Sequence, residues 1–97
     1  MHIISRKPLR EFSKKHPQAK PPLDAWFAEV SQAEWGNFAD VKASYGSADV
    51  VAGNRVIFNI GGNKYRLVVK IAYKCQKVFI RFVGTHAEYD KIDVKTI

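Results

Sequence analysis

Cysteine occurs once in this chain, at Cys75, so no disulfide can close within it; that usage suits a reducing cytosol. No stretch approaches the roughly 18 consecutive apolar residues of a membrane span, and Met1 to Arg6 contains no long apolar run. The expectation is a soluble, cytoplasmic protein with no membrane partner. Internal repeats and low-complexity tracts are absent. Gly61-Gly62 is not followed by Gly-Lys-Ser/Thr, which excludes a P-loop. Cys75 has no partners at metal-ligand spacing, so neither a zinc site nor a thiol nucleophile is indicated. The most informative absence is of acid: between Val50 and Ala87 there is no Asp or Glu.

That same window carries seven basic residues, Arg55, Lys64, Arg66, Lys70, Lys74, Lys77 and Arg81. The chain's net charge is +7, and outside the window nine basic residues are matched by nine acidic ones. The whole excess therefore lies in one segment. A polyanionic partner is its simplest explanation, nucleic acid first, an acidic protein or membrane surface less directly. With 97 residues and 46% hydrophobic content, the chain reads as one globular domain, residues 1–97, with a modest core.

The pattern along the chain predicts an α+β fold. His2-Ile3-Ile4 is β-prone and reads as an edge strand. Ser5 is positioned as an N-cap, and Pro8 is tolerated in a first helical turn. Leu9, Phe12 and His16 recur at helical spacing before Pro17 ends the helix at Lys15 or His16. After a connector over 18–22, Pro21-Pro22 opens a second helix. There Leu23, Trp26, Phe27 and Val30 form one apolar face. The Trp26/Phe27 pair is expected in the core rather than around a ligand. Residues 37–54 are expected to be largely irregular, with at most one short helix at Phe38, Val41 and Tyr45. Three strands follow. Arg55 to Ile60 leads through the turn Gly61-Gly62-Asn63 into Lys64 to Lys74, and Cys75-Gln76 turns into Lys77 to Thr85. In the middle strand Tyr65, Leu67, Val69, Ile71 and Tyr73 face one way. Arg66, Val68, Lys70, Ala72 and Lys74 face the other, giving an apolar back and a cationic front. In the last strand Val78, Ile80 and Phe82 share one face, and Lys77, Phe79, Arg81 and Val83 share the other. Ala87 to Ile92 reads as a short terminal turn or helix. The expected order is β-α-α-β-β-β plus a short C-terminal helix, with a helical hairpin on one face of an antiparallel sheet.

Two motifs, Asn59-Ile-Gly-Gly-Asn-Lys-Tyr-Arg66 and Thr85-His-Ala-Glu-Tyr-Asp90, resemble the HigB family of toxins from type II toxin–antitoxin systems, within the RelE-like superfamily. The order of elements agrees, so the resemblance covers nearly the whole chain. It implies a RelE-like fold and an mRNA endonuclease, an mRNA interferase that blocks translation until a cognate helix-turn-helix antitoxin of the HigA type binds it. Related toxins cut RNA without a metal, so no cofactor is implied. Both ribosome-bound and free mRNA are substrates among them.

Metal-independent cleavage needs a base for the ribose 2′-OH, an acid for the departing 5′-oxygen and cations for the phosphorane-like transition state. Arg66, in the Tyr-Arg motif, suits phosphate stabilisation; otherwise it is a solvated sheet charge. Arg81, on the neighbouring strand, clamps the same phosphate or serves antitoxin binding. His86 is the candidate acid or base because imidazole exchanges protons near neutrality; alternatively it orders the last turn. Strand parity puts it on the Phe82 side, away from the cations, unless Gly84-Thr85 bends the chain. Tyr89, three residues on, stacks on a base, orients a proton-transfer group, or packs the last turn. Lys64, Lys70 and Lys74 are expected to contact or guide RNA, and Phe79 to stack on a base or lie covered. Glu88 and Asp90 read as first-turn carboxylates of the terminal helix. A non-catalytic RNA-binding module, or an interaction module with a basic sheet face, is the alternative reading.

Overall fold

A computed structural model describes residues 1–97. Its five-stranded sheet has the order β1-β5-β4-β3-β2, with strands β1 (His2–Ile4), β2 (Asp49–Val51), β3 (Arg55–Ile60), β4 (Tyr65–Ala72) and β5 (Lys77–Thr85). All neighbours are antiparallel except the edge strand β1, which pairs parallel to β5. Helices α1 (Lys7–Lys15) and α2 (Lys20–Gln32) are joined by a single 3₁₀ turn at Pro17–Ala19. They bury Leu9, Phe12, Leu23, Trp26 and Val30 in one cluster with Val56, Phe58, Leu67, Val69, Ile71 and Val78 of the sheet. The turns behave as their residues require. Gly61, Gly62 and Asn63 all have positive φ (63°, 64° and 78°), which glycine and asparagine accept at least cost.

Four local expectations are corrected. Ser5 does not cap α1; the N-cap is Arg6, with no side-chain hydrogen bond. Residues 37–54 are more regular than their composition suggests. They hold α3 (Phe38–Ser44), capped by Asn37 accepting from the Asp40 amide, and the edge strand β2. β4 ends at Ala72, so Lys74 lies in the following turn and not on a strand face.

The fourth correction bears on function. Val68 pairs with Phe82 and Val69 with Ile80, which leaves Arg81 as an extra residue, a β-bulge. A bulge shifts the side-chain alternation by one position. Phe82 therefore shares a face with Val68 and Arg66, while Val83 turns to the helix side and packs on the core. This is the reverse of the simple parity expectation for both.

The face away from the helices is not uniformly cationic. Val68 is fully buried there and its cross-strand neighbour Ile57 nearly so, yet neither belongs to the helix-side cluster. The chain after the last helix runs back along this face with Ile92, Val94 and Ile97 half-buried. Arg55 Nε donates to Ile97 O at 2.7 Å. The cations are thus separated into two groups by the apolar strip of Ile57 and Val68. No helix is long and apolar enough to cross a membrane.

Candidate active site

The bulge delivers His86 to the cationic side. Phe82 and Gly84 now face front, Gly84 lies opposite Arg66, and Tyr65 lies opposite Thr85. The next residue, His86, continues the ladder by donating its amide to Lys64 O at 3.3 Å. No bend at Gly84-Thr85 is needed. Gly84 serves another purpose. A Cβ there would lie 2.5 Å from the end of the Phe82 ring and 3.2 Å from Glu88 Cβ, so a larger residue would have to displace the Phe82 ring and press on the last helix.

That helix, α4 (His86–Tyr89), is a single turn fixed by a capping box. The Thr85 hydroxyl accepts from the Glu88 amide at 3.2 Å, and Glu88 Oε1 accepts from the Thr85 amide at 2.8 Å. The Thr85 amide hydrogen bond holds the Glu88 carboxyl below its ordinary range, with His16 and Lys15 adding to the effect. Glu88 is thus the reciprocal partner in the cap. Its stabilising contribution is complete above the ordinary carboxylate range and is lost as pH falls through the lowered folded value. Thr85→Ala is expected to cost about 1 kcal/mol. In urea unfolding across pH, the stability gap between wild type and Glu88→Gln should narrow on acidification.

Around α4 the side chains converge. Arg66 Nη2 lies 2.8 Å from His86 Nε2, and Arg66 Nη1 donates to Asn63 Oδ1. Guanidinium has only donors, so the contact is a hydrogen bond in the tautomer that turns the Nε2 lone pair to Arg66. Nδ1 lies 3.4 Å from Asp90 Oδ2. The Tyr89 ring lies beneath the same guanidinium, 5.7 Å from centroid to Cζ, and packs at 6.4 Å against Phe82. An arginine, a histidine and a tyrosine thus share one exposed corner. Its chemical potential is a flat pair of phosphate donors beside a group that carries or accepts a proton.

Other residues fall elsewhere. Arg81, at the bulge, makes no hydrogen bond or ion pair with Arg66 or His86; it lines a cavity with Lys70 and Phe79 and a groove against α1. A three-residue clamp of Arg66, Arg81 and His86 is not what the fold builds. Lys64 sits across the ladder from His86. Lys70 is exposed on the front, paired with Phe79, and Lys74 lies in the turn at the opposite end of the sheet. Asn63 and Asp90 were not singled out as site residues. Asn63 stands three residues before Arg66 in a turn whose φ explains it, and its second use as an acceptor left no separate mark. Asp90 stands four residues after His86, at helical contact spacing, and caps the end of α4 rather than its start. No group of three or more His, Cys, Asp or Glu side chains is placed to hold a metal ion.

The balanced charge outside the sheet is also unevenly spread. Residues 1–20 hold six basic side chains, Arg6, Lys7, Arg10, Lys14, Lys15 and Lys20, and a single acid, Glu11. Lys15 and His16 border the groove that Arg81, Phe82 and Glu88 complete. A second cationic surface therefore adjoins the first.

Comparison with known proteins places the chain in a family. Residues 19–92 match the family model of the HigB toxin, RelE-like toxic component of a toxin–antitoxin system. The mRNA interferase toxin HigB of Escherichia coli strain K12 is 35% identical over 92 residues, covering 93% of this chain and 88% of the relative. The mRNA interferase HigB of Shigella flexneri gives the same figures. The mRNA interferase HigB of Escherichia coli O6:H1 is 24% identical over 94 residues, 95% and 91% of the two chains. With the family model matching well over half of its length and these relatives aligned almost end to end, this chain belongs to the HigB family, the RelE-like toxic components of toxin–antitoxin systems.

Proposed function

We propose that this protein is an endoribonuclease that cuts mRNA without a metal ion and is held inactive by a cognate helix-turn-helix antitoxin. The observation that carries the catalytic part is the 2.8 Å contact between Arg66 and His86, on the face of the sheet that also presents Lys70. An entering phosphate offers the Arg66 guanidinium a stronger, charge-assisted acceptor than a neutral ring nitrogen. The guanidinium turns to the non-bridging oxygens, and the Nε2 lone pair is released at the same linkage. The Nε2 lone pair of His86 then takes the proton of the ribose 2′-OH, and the departing 5′-oxygen takes its proton from a second group, the Lys64 ammonium. The 2′-oxygen forms its bond to phosphorus as the bond from phosphorus to the 5′-oxygen breaks, leaving a 2′,3′-cyclic phosphate and a 5′-hydroxyl. Arg66 carries the charge that builds on the phosphorane oxygens. Tyr89, stacked under the guanidinium, fixes its plane. Lys70 and Lys74 guide the flanking RNA.

The test is cleavage of free and of ribosome-bound mRNA in EDTA. Chelator-resistant cutting with cyclic-phosphate ends, suppressed by the antitoxin encoded beside this chain, is the expected result. Phe82 and Tyr89 on the open face favour the second reading, an RNA-binding module without catalysis. Binding with no cleavage of either substrate would establish that reading in place of the nuclease.

A further inference from the structure

Below the Arg66–His86 corner, past the apolar strip, lies a cavity of about 340 Å³ lined by Asn54, Lys70, Ile71, Ala72, Phe79 and Arg81. Phe79 is a half-buried ring on a face where the helices do not reach, paired across the strands with Lys70. Arg81 is the unpaired residue of the bulge, two positions after Phe79, and lines the same cavity. Asn54, held at φ 58° in the β2–β3 turn, brings an amide side chain to the rim. Neither Lys70 nor Arg81 is tied up in a salt bridge. An aromatic floor, two free cations and one amide is the donor set for a single unstacked nucleobase and its phosphate. Lys70 is four residues along β4 from Arg66, about 13 Å at strand rise. That is too far for the nucleotides joined at the cleaved linkage.

We propose that this cavity is a specificity subsite. It binds one base of single-stranded RNA flanking the scissile linkage, stacked on Phe79, with Lys70 and Arg81 on its phosphate and Asn54 at its edge. The proposal rests on reading the front of the sheet as the path of the RNA, but it does not require that the protein cleave.

The test therefore measures binding, in EDTA and in a His86→Ala background, by anisotropy of labelled single-stranded RNA. One RNA is just long enough for the Arg66 corner and a second extends past Lys70. The longer RNA should bind more tightly, and Phe79→Ala should remove about tenfold of its affinity while leaving the short RNA unchanged. Phe79→Trp should retain that affinity and Phe79→Leu should not. A single abasic nucleotide scanned along the longer RNA should weaken binding at one flanking position, and that effect should vanish in Phe79→Ala. Arg81→Gln, at the surface, should lower the salt dependence by about one phosphate contact. Equal affinity of Phe79→Ala and its parent for the longer RNA, a flat abasic scan, or full binding by Phe79→Leu would overturn the proposal. If the wild-type protein cut no RNA, the nuclease reading would fall while these affinities still decided the subsite.

Discussion

Arg66→Ala should lower kcat/KM for RNA by about 10² to 10³ while leaving the protein folded, because it removes a transition-state donor from an exposed corner rather than a piece of the core. Arg66 is held from two sides, by Asn63 Oδ1 and His86 Nε2, and rests on the Tyr89 ring. That arrangement fixes a planar fork. Arg66→Lys should therefore recover little of the loss, since an ammonium cannot span two phosphate oxygens and stack on tyrosine at once. Steady-state kinetics beside thermal melting would check this. A lysine variant with near-normal kcat would show that only a positive charge is needed there.

His86→Ala should lower the cleavage rate by about 10² to 10⁴, and His86→Gln should be as impaired. The glutamine comparison isolates the chemistry. Its side-chain oxygen can accept from Arg66 as Nε2 does now, but it cannot carry a proton at neutral pH. If the ring served only to hold the guanidinium, glutamine would restore activity. A rate–pH profile adds a second readout. Wild type should show a limb of unit slope on one side of its optimum, and that limb should be missing from the residual activity of His86→Gln.

Much of this corner was legible before the fold was known. The bounds of β3 and β5 follow from their residues, and the positive-φ turn at Gly61-Gly62-Asn63 was fixed by its composition. Arg66 and His86 stood out by type and motif. What the pattern could not reveal was how His86 reaches Arg66. The bulge at Arg81 carries no glycine, proline or other local sign, because it is set by competition between the β4 and β5 ladders. Reading strict alternation through it put Phe82 and Val83 on the wrong faces and left His86 stranded. It also drew Arg81 into a catalytic clamp that the fold does not make. β2 escaped notice because its three residues gain their order only by pairing with β3. The C-terminal segment was equally silent: nothing in its residues marks that Ile97 O accepts from Arg55 Nε, forty-two positions earlier. Each of these features is a long-range outcome, decided by what lies opposite rather than by neighbours in sequence.

The most direct check of the shared Arg66–His86 centre is a double-mutant cycle on the single-turnover cleavage rate, comparing Arg66→Ala, His86→Ala and the combined variant. If both side chains act on the same phosphorus, losing either disables the unit, and the combined variant should be scarcely slower than the worse single one. Rate losses that multiply in full would mean that the two residues work independently, and would contradict the account.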